Sequence, residues 1–186
     1  MSTRSLLTVV LVTFLGLASG RAAQSSFTQP QQHQHEHPIA KDKGSEADQK
    51  HDEEVNKHGD MAMGFSHMKT THHFRLTPNG GFIQVQANDP KDIQSRDQIR
   101  MHLQHISKAF KDGDFSAPEM THSRVPPGVP TLQRLKSAIS YKYEETEMGG
   151  RVLISTANTG GLKAVHEFLR FQIEDHRTGD PKTVQK

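Results

Sequence analysis

Hydrophobic and polar positions alternate along two pairs of short stretches in the second half of the chain. The strings HHFRL and FIQVQA flank Asn79-Gly80-Gly81, and the strings ISYKYEE and RVLIST flank Met148-Gly149-Gly150. Alternation with a period of two predicts strands with one buried and one wet face. Asn-Gly between two such runs is a strong hairpin signal, because both residues tolerate a positive φ. The pattern therefore predicts two β-hairpins.

Each predicted hairpin is followed by a stretch in which apolar residues recur every three or four positions, as on one face of a helix. The two stripes consist of Ile99, Leu103, Ile106 and Phe110, and of Leu162, Val165, Leu169 and Ile173. We expect the first helix to begin at Asp89-Pro90 and to end at Gly113. We expect Asn158 or Thr159 to cap a second helix over about 161–176.

The order ββα therefore occurs twice, and the strings NGGFIQVQAN and MGGRVLISTAN align with each other. The predicted fold is an α+β two-layer sandwich, in which a four-stranded antiparallel sheet carries two long helices on one face. The Pro-rich stretch 117–130 is expected to be a loop, followed by a short helix over about 131–137. The hydrophobic pattern does not give the order of the strands.

The first residues have the pattern of a secretory signal peptide. Arg4 precedes the apolar run LLTVVLVTFLGL, and small residues follow from Ala18 onward. The run is shorter than the roughly 20 residues that span a bilayer, so we expect cleavage between Gly20 and Ala23 and no membrane span afterwards. Residues 1–22 are thus assigned to the signal peptide, and the mature protein is expected in the periplasm or outside the cell.

The next segment, residues 23–66, is rich in Gln, His, Glu, Asp and Lys, and its only large aliphatic residues are Ile39 and Val55. Such a composition buries too little apolar surface to offset the entropy lost on ordering. We therefore expect a disordered His/Met-rich linker there, the ββαββα domain over 67–180, and a short tail over 181–186.

Composition excludes several classes of function. The chain has no cysteine, which rules out a disulfide framework and a cysteine nucleophile. No Lys/Arg run appears, so we expect no nucleic-acid partner. Neither a Gly-x-Ser-x-Gly sequence nor a phosphate-binding loop is present, and we therefore expect a non-enzymatic role.

Five strings together resemble a group of small exported bacterial proteins that have no assigned function. They are TTHHF at 70–74, NDPKD at 88–92, RDQIR at 96–100, PPGV at 126–129 and VHEFLRFQI at 165–173. The resemblance covers roughly residues 63–180. It implies bacterial export and a single compact domain, and it brings no catalytic residues with it.

The stretch from His58 to His73, HGDMAMGFSHMKTTHH, carries the clearest candidate chemistry. Thioether and imidazole groups bind soft and borderline metals, copper above all. The predicted metal ligands are Met61, Met63, His67, Met68, His72 and His73. We expect copper first, with zinc or nickel as alternatives. The competing explanation is a polar linker that carries these residues by chance and packs Met61 and Phe65 at the edge of the core.

Six further histidines are secondary candidates for metal binding. Three alternate in the linker, His33, His35 and His37, and three lie at or near the predicted apolar helix stripes, His102, His166 and His176. If the helices pack side by side, the second group converges with His72 on a site with an open position. Otherwise each of these imidazoles bonds a carbonyl or a carboxylate at the margin of the core.

Two other functions stay open. Phe82 and Leu153 fall on the predicted wet face of the sheet, where they would suit a protein partner or a homodimer. In that case the chain is a structural or interaction module of the cell envelope. The remaining alternative is an enzyme with a His-lined pocket between the two helices.

Overall fold

The computed structural model describes residues 46–186, in which five helices and four strands form the predicted α+β fold. The elements are α1 Glu46–Met63, β1 Thr70–Thr77, β2 Gly80–Ala87, α2 Ile93–Asp112, α3 Ser116–His122, α4 Val129–Arg134, β3 Ser140–Thr146, β4 Gly149–Ser155 and α5 Thr159–Asp175. Short 3-10 turns occupy His67–Lys69 and Lys136–Ala138. The predicted signal peptide, the first part of the linker and His33, His35 and His37 lie outside the described residues.

The four strands form one antiparallel sheet in the order β1-β2-β4-β3. Each hairpin supplies one half of the sheet, and the two second strands pair at its centre, with Ile83 opposite Val152. Strands β1 and β3 are therefore the edges. In β1, Phe74 lies opposite Ile83, so His72 and Phe74 share the face that the helices cover.

The two long helices pack against one face of the sheet, as the stripes predict. Helix α2 contacts β3 and β4 most closely, and α5 contacts β1 and β2. Ile99 and Leu103 of α2 and Val165 and Leu169 of α5 are almost completely buried. Burial of such side chains stabilises the fold by about 1.5–3 kcal/mol each relative to exposure.

The helix ends agree with the predicted signals except at the start of α2. Asp92, not Asp89, is the N-cap, and its carboxylate accepts a hydrogen bond from the Ser95 amide at 2.9 Å. Gly113 ends α2 in the left-handed conformation, with φ of 82°. Asn158 caps α5 by accepting from the Gly161 amide at 2.9 Å.

The loop predicted over 117–130 is partly wrong, because residues 116–122 form helix α3. Pro118 lies in the first turn of α3, where its missing amide hydrogen has no partner to lose. The short helix expected near 131 begins two residues earlier, at Val129. The high proline content of this stretch therefore led to the wrong prediction of a loop at helix α3.

Helix α1 replaces the second part of the predicted disordered linker. Its only buried residues are Val55 and Gly59, and its Glu46 and Asp48 lie in the first turn, where negative charge is favourable. The helix packs against α3, and Asp52 pairs with Arg177 at 2.7 Å. Contacts with other elements, and not an apolar stripe of its own, hold α1 in place.

The predicted C-terminal tail lies against the domain. The amide of Gln185 donates to the carbonyl of Leu76 at 2.9 Å, and the Arg170 side chain donates to the carbonyl of Lys182 at 3.0 Å. Within residues 46–186, no helix combines the length and the apolar character needed to cross a membrane.

Candidate functional site

A cavity of about 70 Å³ lies between α1, α2, α3, α5 and the inner face of the sheet. Most of its wall is apolar, from residues such as Phe74, Leu103 and Phe168. The remaining wall includes the imidazole, thioether and amide groups of Met63, His72, His102, His122, Gln172 and His176. No aspartate or glutamate from the described part of the chain lines it. Neutral nitrogen and sulfur donors are thus gathered in an apolar surrounding.

The turn after α1 positions Met63 and Phe65. Helix α1 ends at Met63, and Gly64 follows with φ of 76°, a conformation that favours glycine. Phe65 is buried and lies with its ring centroid 5.6 Å from that of His102, in an edge-on arrangement. The chain then enters β1, which carries His72 on its inner face.

Met63 and His72 meet at the cavity. The sulfur of Met63 lies 3.2 Å from Nε2 of His72. In the metal-free protein this contact is a weak hydrogen bond, because a thioether is a poor acceptor. The same two atoms are also a thioether and an imidazole donor within the reach of one metal ion.

Two more imidazoles lie beside this pair. The ring of His176 stacks on that of His72, with centroids 5.7 Å apart and planes 5° from parallel. His102 lines the same cavity from α2. His72, His102 and His176 therefore line one cavity, but within residues 46–186 they do not form a metal-binding group by themselves, and His166 lies elsewhere.

These three imidazoles have no oxygen partner among residues 46–186. Within the described residues, the His72 side chain makes one hydrogen bond, to the Met63 sulfur, and neither ring nitrogen of His102 or His176 makes any. By contrast, Nε2 of His166 donates to the carbonyls of Thr77 and Gly80 at 3.0 Å each. His166 is thus a satisfied structural histidine, and the cavity histidines are not.

Burial keeps the cavity histidines neutral. It lowers the pKa of His72 to about 4, and nearby His102 adds to the effect. It also lowers the pKa of His102 to about 4 and that of His176 to about 3. A neutral imidazole has a free lone pair, which is the form that binds a metal ion.

A hydrogen-bonded network closes the cavity on the side of α3 and α5. Nδ1 of His122 donates to Asp175 at 2.6 Å, and Nε2 of His122 lies 3.0 Å from the Gln172 side-chain oxygen. Asp175 also accepts from Arg124 at 2.7 Å and from His51 at 3.2 Å. Both nitrogens of His122 are engaged, so it is not free to act as a ligand or a base.

The network determines the charge of Asp175 and the orientation of the Gln172 amide. Burial alone would raise the pKa of Asp175, but hydrogen bonds from His122 and His51 outweigh it and hold that pKa below its usual value. Gln172 is buried, and its amide nitrogen has no hydrogen-bond partner among the described residues. Because a neutral His122 that donates from Nδ1 accepts at Nε2, the amide nitrogen of Gln172 is the group suited to face it, and exchange of the amide oxygen and nitrogen satisfies both side chains.

The other predicted ligands point away from the cavity or have partners. Met61 and Met68 are 73% and 76% exposed, so their sulfurs face solvent. His67 bonds the Asp60 carboxylate at 3.0 Å, and His73 bonds Asp180 at 3.1 Å. Of the six primary candidates, only Met63 and His72 meet.

Sequence reasoning missed His122 and its partners. His122 lies in the stretch predicted as a loop, so no helical periodicity was applied to it. With α3 placed, Pro118, Thr121 and His122 are its buried residues. Thr121 and His122 follow Pro118 by three and four residues, which in a helix places all three on one face. This spacing indicates an inward-facing His122 once the segment is recognised as a helix.

Histidine, aspartate and glutamate side chains alone do not form a metal-binding group of three or more among residues 46–186. A site at this cavity therefore requires the Met63 thioether. Comparison with known proteins finds no family model that matches the chain, no similar curated protein and no similar solved structure. The function is therefore inferred from the site itself.

Proposed function

We propose that this chain is an exported protein that binds or buffers a transition metal, copper first, in the cavity between α1, α2, α5 and β1. The primary ligands are Met63 and His72, and His176 and His102 complete the site only when their side chains turn toward the ion. The observation that carries this proposal is the lining of the cavity, where the imidazoles of His72, His102 and His176 have no oxygen partner among the described residues and lie beside one thioether.

The usual explanation for a half-buried histidine is a hydrogen bond to a carbonyl or a carboxylate. That explanation applies to His166 and to His122. It does not apply to His72, His102 or His176. Three partly exposed imidazoles that have lowered pKa values and no oxygen partner among the described residues are grouped around one cavity, which supports a role in binding.

The chemistry of the donors favours copper. Imidazole suits copper, zinc and nickel alike, but the thioether of Met63 favours a soft ion. Typical bond lengths of about 2.3 Å to sulfur and 2.0 Å to nitrogen allow one ion to bridge Met63 and His72 without moving the backbone. Zinc and nickel are the alternatives that the imidazoles leave open.

Four of the residues predicted as ligands lie outside the cavity and are not part of the proposed site. Met61 and Met68 are exposed, and His67 and His73 are paired with carboxylates, so we assign none of them as ligands in the cavity. The acidic linker raises the local concentration of cations around the domain.

The test is a titration of the mature protein with Cu(I), Cu(II) and Zn(II) against competing chelators. The test variant is His72→Phe with His176→Phe, because phenylalanine keeps the stacked rings and removes the nitrogens. The control is His105→Asn, which changes an exposed histidine on the same helix as His102.

We expect one equivalent of copper to bind tightly, and the double variant to weaken binding by at least about 100-fold. The His105 variant should bind as the unchanged protein does. Binding no tighter than that of a His-rich peptide, or equal binding by the double variant, would contradict the proposal.

A further inference from the structure

We infer that the cavity selects the monovalent ion Cu(I) over the divalent ion Zn(II). This inference rests on the proposed function and specifies its substrate. It follows from the number of donors that the fold aligns and from the charge that the cavity accepts.

Only two donors are aligned for one ion. The Met63 sulfur and Nε2 of His72 are 3.2 Å apart, which gives an angle of about 95° at an ion with ordinary bond lengths. Two-coordinate Cu(I) favours a nearly straight arrangement, so this bent pair needs one more donor to give the three that satisfy Cu(I), whereas Zn(II) usually takes four.

The third imidazole cannot join without turning. The rings of His72 and His176 are within 5° of parallel, with centroids 5.7 Å apart. A ring nitrogen directs its lone pair in the plane of the ring, so an ion in the plane of His72 lies outside the plane of His176. Rotation of the His176 side chain gives a third ligand, and a fourth requires His102 to leave its edge contact with Phe65.

The cavity also lacks the negative charge that a divalent ion needs. Its wall contains no carboxylate from the described residues. The acids near the cavity are already paired, Asp175 with His122, Arg124 and His51, and Asp60 with His67. Because the cost of placing a charge in an apolar medium rises with the square of the charge, a divalent ion is penalised about four times as heavily as a monovalent one.

The test compares metals in the full mature chain with His33, His35 and His37 changed to Gln, which removes weak binding by the linker. Cu(I) and Zn(II) are titrated anaerobically with a competitor for each ion, and Ag(I) serves as a monovalent ion without redox chemistry. The same titrations are made on Met63→Leu and on the control Met61→Leu. Leucine for methionine conserves volume and is well tolerated in cores.

We expect Cu(I) and Ag(I) to bind at one equivalent, with an affinity for Cu(I) at least about 1000-fold above that for Zn(II). Met63→Leu should lower the ratio of these affinities at least about 10-fold, and Met61→Leu should leave it unchanged. Equal affinities for Cu(I) and Zn(II), or a ratio unaffected by Met63→Leu, would overturn the selectivity and leave metal binding in place. The absence of tight binding by any of these ions would overturn both.

Discussion

The sulfur of Met63 and Nε2 of His72, 3.2 Å apart, join the last residue of α1 to the edge strand β1. The other contacts that hold α1 include the exposed ion pairs of Arg177 with Asp48 and Asp52. Exposed ion pairs contribute about 0–1 kcal/mol each. An ion bound by Met63 and His72 would therefore add a strong link between a weakly held helix and the sheet.

Metal binding should accordingly protect α1 from hydrogen exchange. We expect the amides of residues 46–63 to exchange at least about 10-fold more slowly with one equivalent of Ag(I), because local opening must then break a metal bond. Amides in β4 should change little. In Met63→Leu the protection should disappear, and protection that persists there would contradict the assignment of Met63 as a ligand.

Removal of one unpaired imidazole should stabilise the metal-free protein. His176 stacks on Phe74 with centroids 5.5 Å apart and has no hydrogen bond among the described residues. We expect His176→Phe to raise the free energy of unfolding by about 1 kcal/mol, since it adds apolar surface to the stack on Phe74 and removes an imidazole that makes no hydrogen bond there. The measurement is urea unfolding in the presence of a chelator.

The matched control is His166→Phe on the same helix. It loses the bonds from Nε2 to the carbonyls of Thr77 and Gly80, so the free energy of unfolding should fall by about 2 kcal/mol. If both variants are destabilised equally, His176 is an ordinary structural residue.

The metal-free fold should weaken as the pH falls from 7 to 5. An unfolded histidine takes up its proton near pH 6.5, whereas the pKa of His72 and of His102 in the fold is about 4. Between these values the unfolded chain binds more protons, so the free energy of unfolding decreases on acidification. Each such histidine contributes at most about 1.4 kcal/mol per pH unit.

Replacing a buried histidine should reduce this pH dependence. The slope of the unfolding free energy against pH gives the number of protons taken up on unfolding. Between pH 5 and 6 we expect His102→Phe to lower that number by close to one, and His105→Phe to leave it unchanged. The buried carboxylates do not interfere, because the lowered pKa values of Asp175 and Asp180 place their effect below about pH 4. An unchanged slope in His102→Phe would contradict the burial of a neutral imidazole there.

The Asp175 carboxylate should stabilise the fold without acting as a metal ligand. Its side chain is 6% exposed and bonds His122, His51 and Arg124. We expect Asp175→Asn to lower the free energy of unfolding by about 2 kcal/mol, because charged hydrogen bonds are lost. The neighbouring exposed variant Glu174→Gln should stay within about 0.5 kcal/mol. Equal effects in urea unfolding would show that the network contributes nothing specific.

The fold class and most element boundaries could be predicted because periodicity reports burial directly. The stripe from Ile99 to Phe110 and the Asn79-Gly80 turn are local signals, and the structure confirms both elements. The strand order could not be predicted, since the pairing of Ile83 with Val152 depends on how two distant hairpins meet.

Helix α1 and the cavity were also harder to predict, because both depend on contacts between distant parts of the chain. Val55 is the only aliphatic residue that α1 buries, so the helix carries no stripe and depends on contacts with α3. The Met/His segment contains Met63 and His72, whose side chains the structure brings into contact. Met61 and Met68 are exposed in the folded protein. The spacing of these methionines in the sequence does not show which of them face solvent.

A metal site in the cavity is tested by a long-range ¹H–¹⁵N spectrum of the histidine rings in the full mature protein, recorded before and after one equivalent of Ag(I). We expect large shifts for the ring nitrogens of His72, smaller shifts for those of His176 or His102, and none for those of His105 and His166. Shifts confined to the linker histidines or to exposed rings would contradict a metal site in the cavity.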